Sequence, residues 1–147
     1  MSTFEYFTST LKKAGMSLTP QRLAICRLLS GSNSHHTAAS IYEQVHAQYP
    51  SLSMMTVYNT LNALVDLGAV TALGDARDDN AHYDGNTFPH INLACISCHT
   101  IVDFDTPGAA ELEGKVSSDS GFKVLGARLL FYGLCPACQK KEVPGTE

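Results

Sequence analysis

Apolar side chains recur every third or fourth position through the first half of the chain and alternate with polar ones in the second. Phe4, Phe7, Leu11 and Ala14 mark one helical face that stops at Gly15. Thr19-Pro20 reads as a helix start, with the threonine as cap and the proline at the first helical position, where its missing N–H is not needed. Leu23, Cys26 and Leu29 then face inward, which makes the lone Cys26 a core residue. A third helix, over residues 37–49, buries Ala38, Ile41, Val45 and Tyr49 and ends before Pro50. A fourth starts near Ser53, turns Met54, Val57, Leu61 and Leu64 inward, and ends at Gly68. Its outward face carries Met55, Thr56, Tyr58, Asn59 and Asn62.

After Gly68 the period shortens. Residues 69–73 read as a strand, 75–80 as a polar turn and 81–84 as a returning strand. Helices followed by such a hairpin form the order of a winged helix-turn-helix. From His90 the chain alternates, Ile91 and Leu93 pointing one way, His90 and Asn92 the other. A strand over 100–105, a short helix over 109–118 and a strand over 122–132 follow, and residues 85–89 read as the linker. The predicted fold is α+β: an N-terminal winged helix-turn-helix domain over residues 1–84, then a small α/β domain over residues 90–147. Val102, Phe104, Val124 and Leu130 offer more apolar surface than so small a domain covers alone, so its strands are expected to form a dimer face.

The chemistry is concentrated in two Cys-x-x-Cys pairs, Cys95/Cys98 and Cys135/Cys138. Each tight turn presents two sulfurs at about 2.3 Å from a metal, so the pairs together suit one tetrahedral zinc. Four thiolates leave no position for a substrate, which makes such a site structural. The competing readings are a redox dithiol and two disulfides. A membrane helix needs about 18–20 consecutive apolar residues, and no run approaches that; the start, Met1-Ser2-Thr3-Phe4-Glu5, does not read as a signal peptide. Thiols, zinc and no export signal predict a reducing cytoplasm. The net charge of -4 excludes a broadly basic surface but not a local phosphate-binding patch.

The outward face of the fourth helix is such a patch in prospect. Asn59 and Asn62 suit adenine edges, Thr56 a thymine methyl or a phosphate, and Tyr58 a phosphate or a methyl, with Lys12, Lys13 and Arg22 as phosphate contacts. The alternative is a solvated polar helix face, and the helix carries no lysine or arginine of its own.

The run Leu18-Thr19-Pro20-Gln21-Arg22, then Thr37-Ala38, then Thr56-Val57-Tyr58-Asn59-Thr60-Leu61, and finally the two cysteine pairs, resembles the ferric uptake regulator (Fur) family from about Phe4 to Glu142. The resemblance implies a homodimer whose winged helices bind double-stranded operator DNA, with the four cysteines holding structural zinc. It also implies a second, exchangeable metal site. The nitrogen and oxygen candidates are His35, His36, Asp84, His90, Asn92 and Asp103. A symmetric hairpin about the first cysteine pair sets Cys95 opposite Thr100 and Asn92 opposite Asp103, so Asp103 joins His90 and Asn92 on one face.

Within the family the chain is most similar to the peroxide-sensing repressor branch, PerR. Carried over by position, the regulatory ligands are His35, Asp84, His90, Asn92 and Asp103, holding iron(II) or manganese(II). Asp84, Thr-Val-Tyr-Asn at 56–59, Gly121-Phe122-Lys123-Val124 and Lys140-Lys141-Glu142 carry that likeness. The branch has His-x-His where this chain has His90-Ile91-Asn92, and Leu125-Gly126-Ala127 lacks the histidine of a further family site. An amide oxygen binds hard cations more weakly than imidazole, so weaker iron binding is expected; His82 and His36 are expected at the solvated surface. The resemblance implies a repressor, not an enzyme. Metal favours the DNA-competent dimer, and hydrogen peroxide reacting at bound iron(II) oxidises His35 or His90 and ends repression. The alternative is the same fold sensing iron, manganese or zinc availability without peroxide chemistry; thiol-based sensing and a zinc-ribbon oxidoreductase lie further off.

Overall fold

The computed structural model describes residues 2–31, 35–74, 77, 80–86, 90–124 and 127–141. The chain divides into two compact units, Met1–Leu73 with Ala81–Thr87, and Gly74–Asn80 with Phe88–Glu147.

The first unit is built on four helices, α1 (Thr3–Lys13), α2 (Pro20–Ser30), α3 (Ala38–His46) and α4 (Met54–Asp66). Each starts at a hydroxyl side chain that accepts a backbone N–H: Ser2 from Glu5, Thr19 from Arg22, Thr37 from Ser40 and Ser53 from Thr56. Those caps satisfy donors that the first turn would otherwise leave open. At Ser2 the Glu5 carboxylate also accepts the Ser2 N–H, completing a capping box. α4 ends before Gly68, whose φ of 77° is open to glycine at no steric cost.

Phe7, Leu11, Ile25, Cys26, Ile41, Val57, Leu61 and Leu64 are fully buried at the centre of this unit. Periodicity missed Ile25 and Thr60. Thr60 is tolerated inside because its hydroxyl donates to the Thr56 carbonyl at 2.8 Å. Ala14, expected inward, is instead the exposed C-cap of α1, and Leu23 and Met54 are half-buried. The third helix closes at His46; Tyr49 sits in the turn beyond it, its N–H donating to Val45.

The hairpin pairs β1 (Thr71–Leu73) with β2 (His82–Asp84), antiparallel, setting Thr71 opposite Asp84 and Leu73 opposite His82. On its other side Tyr83 bridges to His36, donating its N–H to the His36 carbonyl at 2.8 Å. β2 therefore has a neighbour on each side, and all of its residues are buried. This corrects the expectation for His82 and His36: His82 is buried and His36 is half-buried. Burial lowers the His36 pKa, and the adjacent His35 lowers it further. Next along, Gly85 lies against Phe7: a Cβ there would come within 2.9 Å of the Phe7 ring.

The second unit comprises β3 (Ile91–Cys95), β4 (Ile101–Phe104), α5 (Pro107–Ser120), β5 (Leu129–Gly133) and a short α6 (Pro136–Gln139). Its sheet has the order β4-β3-β5, antiparallel between β3 and β4 and parallel between β3 and β5. The hairpin register is the expected one. Asn92 faces Asp103, and the Cys95 N–H donates to the Thr100 carbonyl at 2.9 Å.

The strand expected over 122–132 is shorter than its apolar run. Ser117 Oγ donates to the Phe122 carbonyl and the Phe122 N–H donates to Ser120 Oγ, so this segment belongs to the end of α5. β5 extends only as far as its parallel partner, pairing Leu129 with Ile91 and Gly133 with Cys95. The two sheet faces differ. Asn92 and Ala94 are buried, whereas Leu93, Val102 and Phe131 form one exposed row across the three strands, with Phe104 also exposed. Of the residues expected at a dimer face, Val102 and Phe104 are exposed and Val124 and Leu130 are half-buried.

Leu61→Ala empties a fully buried position on α4 and is expected to cost the first unit about 2–5 kcal/mol. Met55→Ala, on the exposed face of the same helix, is expected to stay within about 0.5 kcal/mol. Urea denaturation followed by circular dichroism measures both.

Candidate metal centre

Cys95 ends the central strand, Cys98 closes the turn after it, Cys135 caps α6 and Cys138 lies within α6. The turn at the first pair needs a left-handed residue, which His99 supplies with φ 65°. The four sulfurs lie within 4.8 Å of one another, and Cys98 and Cys135 Sγ are 3.9 Å apart. A regular tetrahedron with bonds of about 2.3 Å has edges of about 3.8 Å, so the cage is already near zinc dimensions. All four are free thiols, not disulfides.

The environment prepares thiolates. Backbone N–H groups of Cys98 and then Cys135 hydrogen-bond Cys95 and bring its pKa down to about 6, the Cys135 N–H lying 3.4 Å from the sulfur. The Thr100 hydroxyl, 3.3 Å from Cys98 Sγ, lowers that thiol as well. At Cys138 a Ser97 hydrogen bond lowers the pKa, but those shared with Cys135, Cys95 and Cys98, together with burial, lift it to about 11. Without a cation the sulfurs must share protons; a divalent ion removes that conflict. Cys26 is a core thiol, pushed up to about 12 by burial.

The nitrogen and oxygen candidates fall into two sets. In the first unit His35 Nδ1 and Asp84 Oδ2 are 3.9 Å apart. Asp84 Oδ1 accepts the Asn86 N–H at 2.9 Å, an Asx turn that fixes the carboxylate. A His35 ring nitrogen thus lies beside the Asp84 carboxylate. In the second unit His90 Nε2 lies 3.2 Å from Asn92 Oδ1 and 3.5 Å from Asp103 Oδ1. Asn92 Nδ2 donates to the Leu129 carbonyl at 3.4 Å. Imidazole, carboxylate and amide oxygen are the donor set of a hard or borderline divalent cation. Asn86 could have been read from Asp-Gly-Asn, a turn signal. Leu129 had no signal, because its carbonyl arrives through parallel pairing.

On the nucleic-acid side, Tyr58, Asn59 and Asn62 are exposed on α4 and Lys12 and Lys13 on the last turn of α1. Asn59 and Asn62 line a shallow cleft of about 480 Å³ with Met16 and Asp66. Two expected contacts have local work as well. The Thr56 hydroxyl pairs with Ser53 Oγ at 3.0 Å inside the cap of α4, and Arg22 Nη1 donates to the Ser17 carbonyl and hydroxyl at 2.7 and 3.1 Å.

Residues 13–132 match the model of the ferric uptake regulator family. The chain belongs to that family. Among Fur-family relatives, the peroxide operon regulator of Bacillus subtilis (strain 168) is 42% identical over 135 residues, covering 90% of this chain and 91% of that one. The peroxide-responsive repressor PerR of Staphylococcus aureus (strain USA300) is 38% identical over 133 residues, covering 90% and 89%. The structure of PerR from Streptococcus pyogenes, a peroxide sensor and gene regulator, aligns with a TM-score of 0.54 at 31% identity, covering 95% of each chain. Helicobacter pylori Fur, at 21% identity and a TM-score of 0.75 over 97% of this chain and 94% of that one, shares the fold.

Cys138→Ser is expected to abolish tight zinc binding and loosen β3 and β5 while leaving the helices of the first unit folded. Zinc content and amide hydrogen exchange report the two effects. Because protons compete for the sulfurs, zinc affinity falls as pH drops.

Proposed function

We propose that this chain is a metal-dependent transcriptional repressor that binds operator DNA as a homodimer and releases it in response to hydrogen peroxide. The observation that carries this reading is the likeness, along nine-tenths of the chain, to regulators named for peroxide response. Those relatives are regulators, not enzymes. No helix among the described residues is long and apolar enough to cross a membrane, which suits a cytoplasmic repressor.

Cys95, Cys98, Cys135 and Cys138 hold structural zinc and join the end of β3 to α6. His35 and Asp84 from the first unit, with His90, Asn92 and Asp103 from the second, are proposed as ligands to one regulatory iron(II) or manganese(II). An ion bound by both sets favours one arrangement of the units over others, which is how a ligand shifts a conformational equilibrium. Iron(II), when bound, supplies the electron that activates peroxide next to its ligands. His35 and His90 would be the oxidisable ligands: an imidazole carbon gains one oxygen, the other oxygen of peroxide leaves as water, and the ring loses the donor character that holds the ion. The exposed face of α4 enters the major groove, Asn59 and Asn62 reading base edges and Lys12 and Lys13 meeting phosphates. The exposed row Leu93, Val102 and Phe131 suits the partner protomer. Asn92 supports a second reading, regulation by metal availability without peroxide chemistry.

Protein loaded with zinc and iron(II), then treated with low peroxide, is expected to gain one oxygen atom on His35 or His90. The manganese(II) form is expected to gain none. Peptide mass spectrometry decides; unmodified histidines in the iron form would select the availability reading. Asn59→Ala is expected to reduce discrimination between operator and unrelated DNA by about 1–3 kcal/mol. Lys12→Ala should weaken both complexes alike and flatten the salt dependence, as fluorescence anisotropy would show.

A further inference from the structure

The amide of Asn92 is held at both ends. Nδ2 donates to the Leu129 carbonyl on β5, and Oδ1 points at His90 Nε2. The Leu129 carbonyl can only accept, so the amide turns its NH₂ to β5 and its oxygen to His90. His90 Nε2 to Asn92 Oδ1 is 3.2 Å, and His90 Nε2 to Asp103 Oδ1 is 3.5 Å. Octahedral bonds between the ~2.1 Å of magnesium and ~2.3 Å of calcium place neighbouring donors about 3.0–3.3 Å apart. His90 Nε2 and Asn92 Oδ1 are thus spaced as adjacent ligands of a six-coordinate ion, with Asp103 Oδ1 slightly wider from His90, and ligation requires His90 in the tautomer that carries its proton on Nδ1.

Resting on the regulatory-metal reading above, we propose that Asn92 is a ligand through Oδ1 and the residue that sets metal selectivity, biasing the site toward manganese(II) over iron(II). Affinity for nitrogen and oxygen sites rises from manganese(II) to iron(II), and imidazole suits iron whereas carbonyl and carboxylate oxygens suit manganese. An amide oxygen at this position therefore withdraws more affinity from iron than from manganese. The Leu129 anchor matters because a freely rotating amide would spend part of its time presenting its NH₂, which cannot ligate. Held by β5, it offers the oxygen alone, ready oriented as a ligand's supporting partners arrange it.

The test measures the affinities of zinc-loaded full-length protein for iron(II), anaerobically, and for manganese(II), by competition with a chromogenic chelator. It compares wild type with Asn92→His, Asn92→Asp and Asn92→Ala. Asn92→His is expected to raise the iron-to-manganese affinity ratio by about tenfold or more, the scale on which changes around metal ligands act. Asn92→Asp replaces a neutral oxygen with a charged one and is expected to bind manganese at least as tightly as wild type, with a changed electron paramagnetic resonance spectrum of the bound ion. Asn92→Ala is expected to weaken both metals. Manganese affinity and electron paramagnetic resonance spectrum unchanged in both Asn92→Ala and Asn92→Asp would overturn the assignment, since a ligand cannot be removed or charged without effect on the bound ion. An unchanged ratio in Asn92→His would overturn the selectivity. Zinc content and circular dichroism identify any variant that misfolds, and Asn92→Asp, nearly isosteric, then carries the decision. If wild-type protein holding its zinc binds neither ion, the regulatory-site reading fails and this assignment with it.

Discussion

Four cysteine sulfurs that repel one another when charged, and compete for protons when not, are the constraint on which the second unit depends. One pair ends the central strand and the other follows the edge strand parallel to it, so whatever reconciles the sulfurs also closes the sheet. A three-stranded sheet with α5 and the short α6 has too little core to stand on burial alone. Structural zinc contributes folding free energy directly, about 10–16 kcal/mol in small zinc domains, most of it unavailable to an unfolded chain. The same closure delivers the Leu129 carbonyl to Asn92. The zinc cage and the nitrogen and oxygen cluster are consequently coupled through β5, although they share no ligand.

The sheet is also inverted relative to an ordinary amphipathic one. Its concealed side carries His90 and Asn92, while Leu93, Val102, Phe104 and Phe131 look outward. Concealed polar groups are acceptable where each finds a partner, and here they find one another and a backbone carbonyl. The apolar side has no such internal solution and suits a second protomer. Polar groups and exposed apolar side chains thereby fall on opposite faces of the same strands, as alternation along a strand permits.

Much of this was legible in the residues because the signals were local. Thr19-Pro20, Thr37 and Ser53 each mark a cap, and the helices begin where those caps stand. The hairpin register followed from symmetry about the first cysteine pair, which placed Asn92 opposite Asp103. What escaped was non-local. The length of β5 depends on a parallel partner distant in sequence, and no period within residues 122–132 records it. His82 belongs to a short polar strand that is buried between β1 and the bridge at residue 36, the latter distant in sequence. The Asn92 anchor is a backbone carbonyl, which has no sequence signature at all.

The order in which the strands are joined has a consequence for biosynthesis. β3 and β4 can pair as soon as they leave the ribosome, since a short turn connects them, but β5 must wait for α5 and the segment beyond it. Throughout that interval Cys95 and Cys98 are half a cage, with their partners still being translated, and the central strand has one open edge. Zinc capture completes only once Cys135 and Cys138 have joined them. A chain still waiting for its second cysteine pair is therefore open to wrong pairing and to thiol oxidation until the sheet closes.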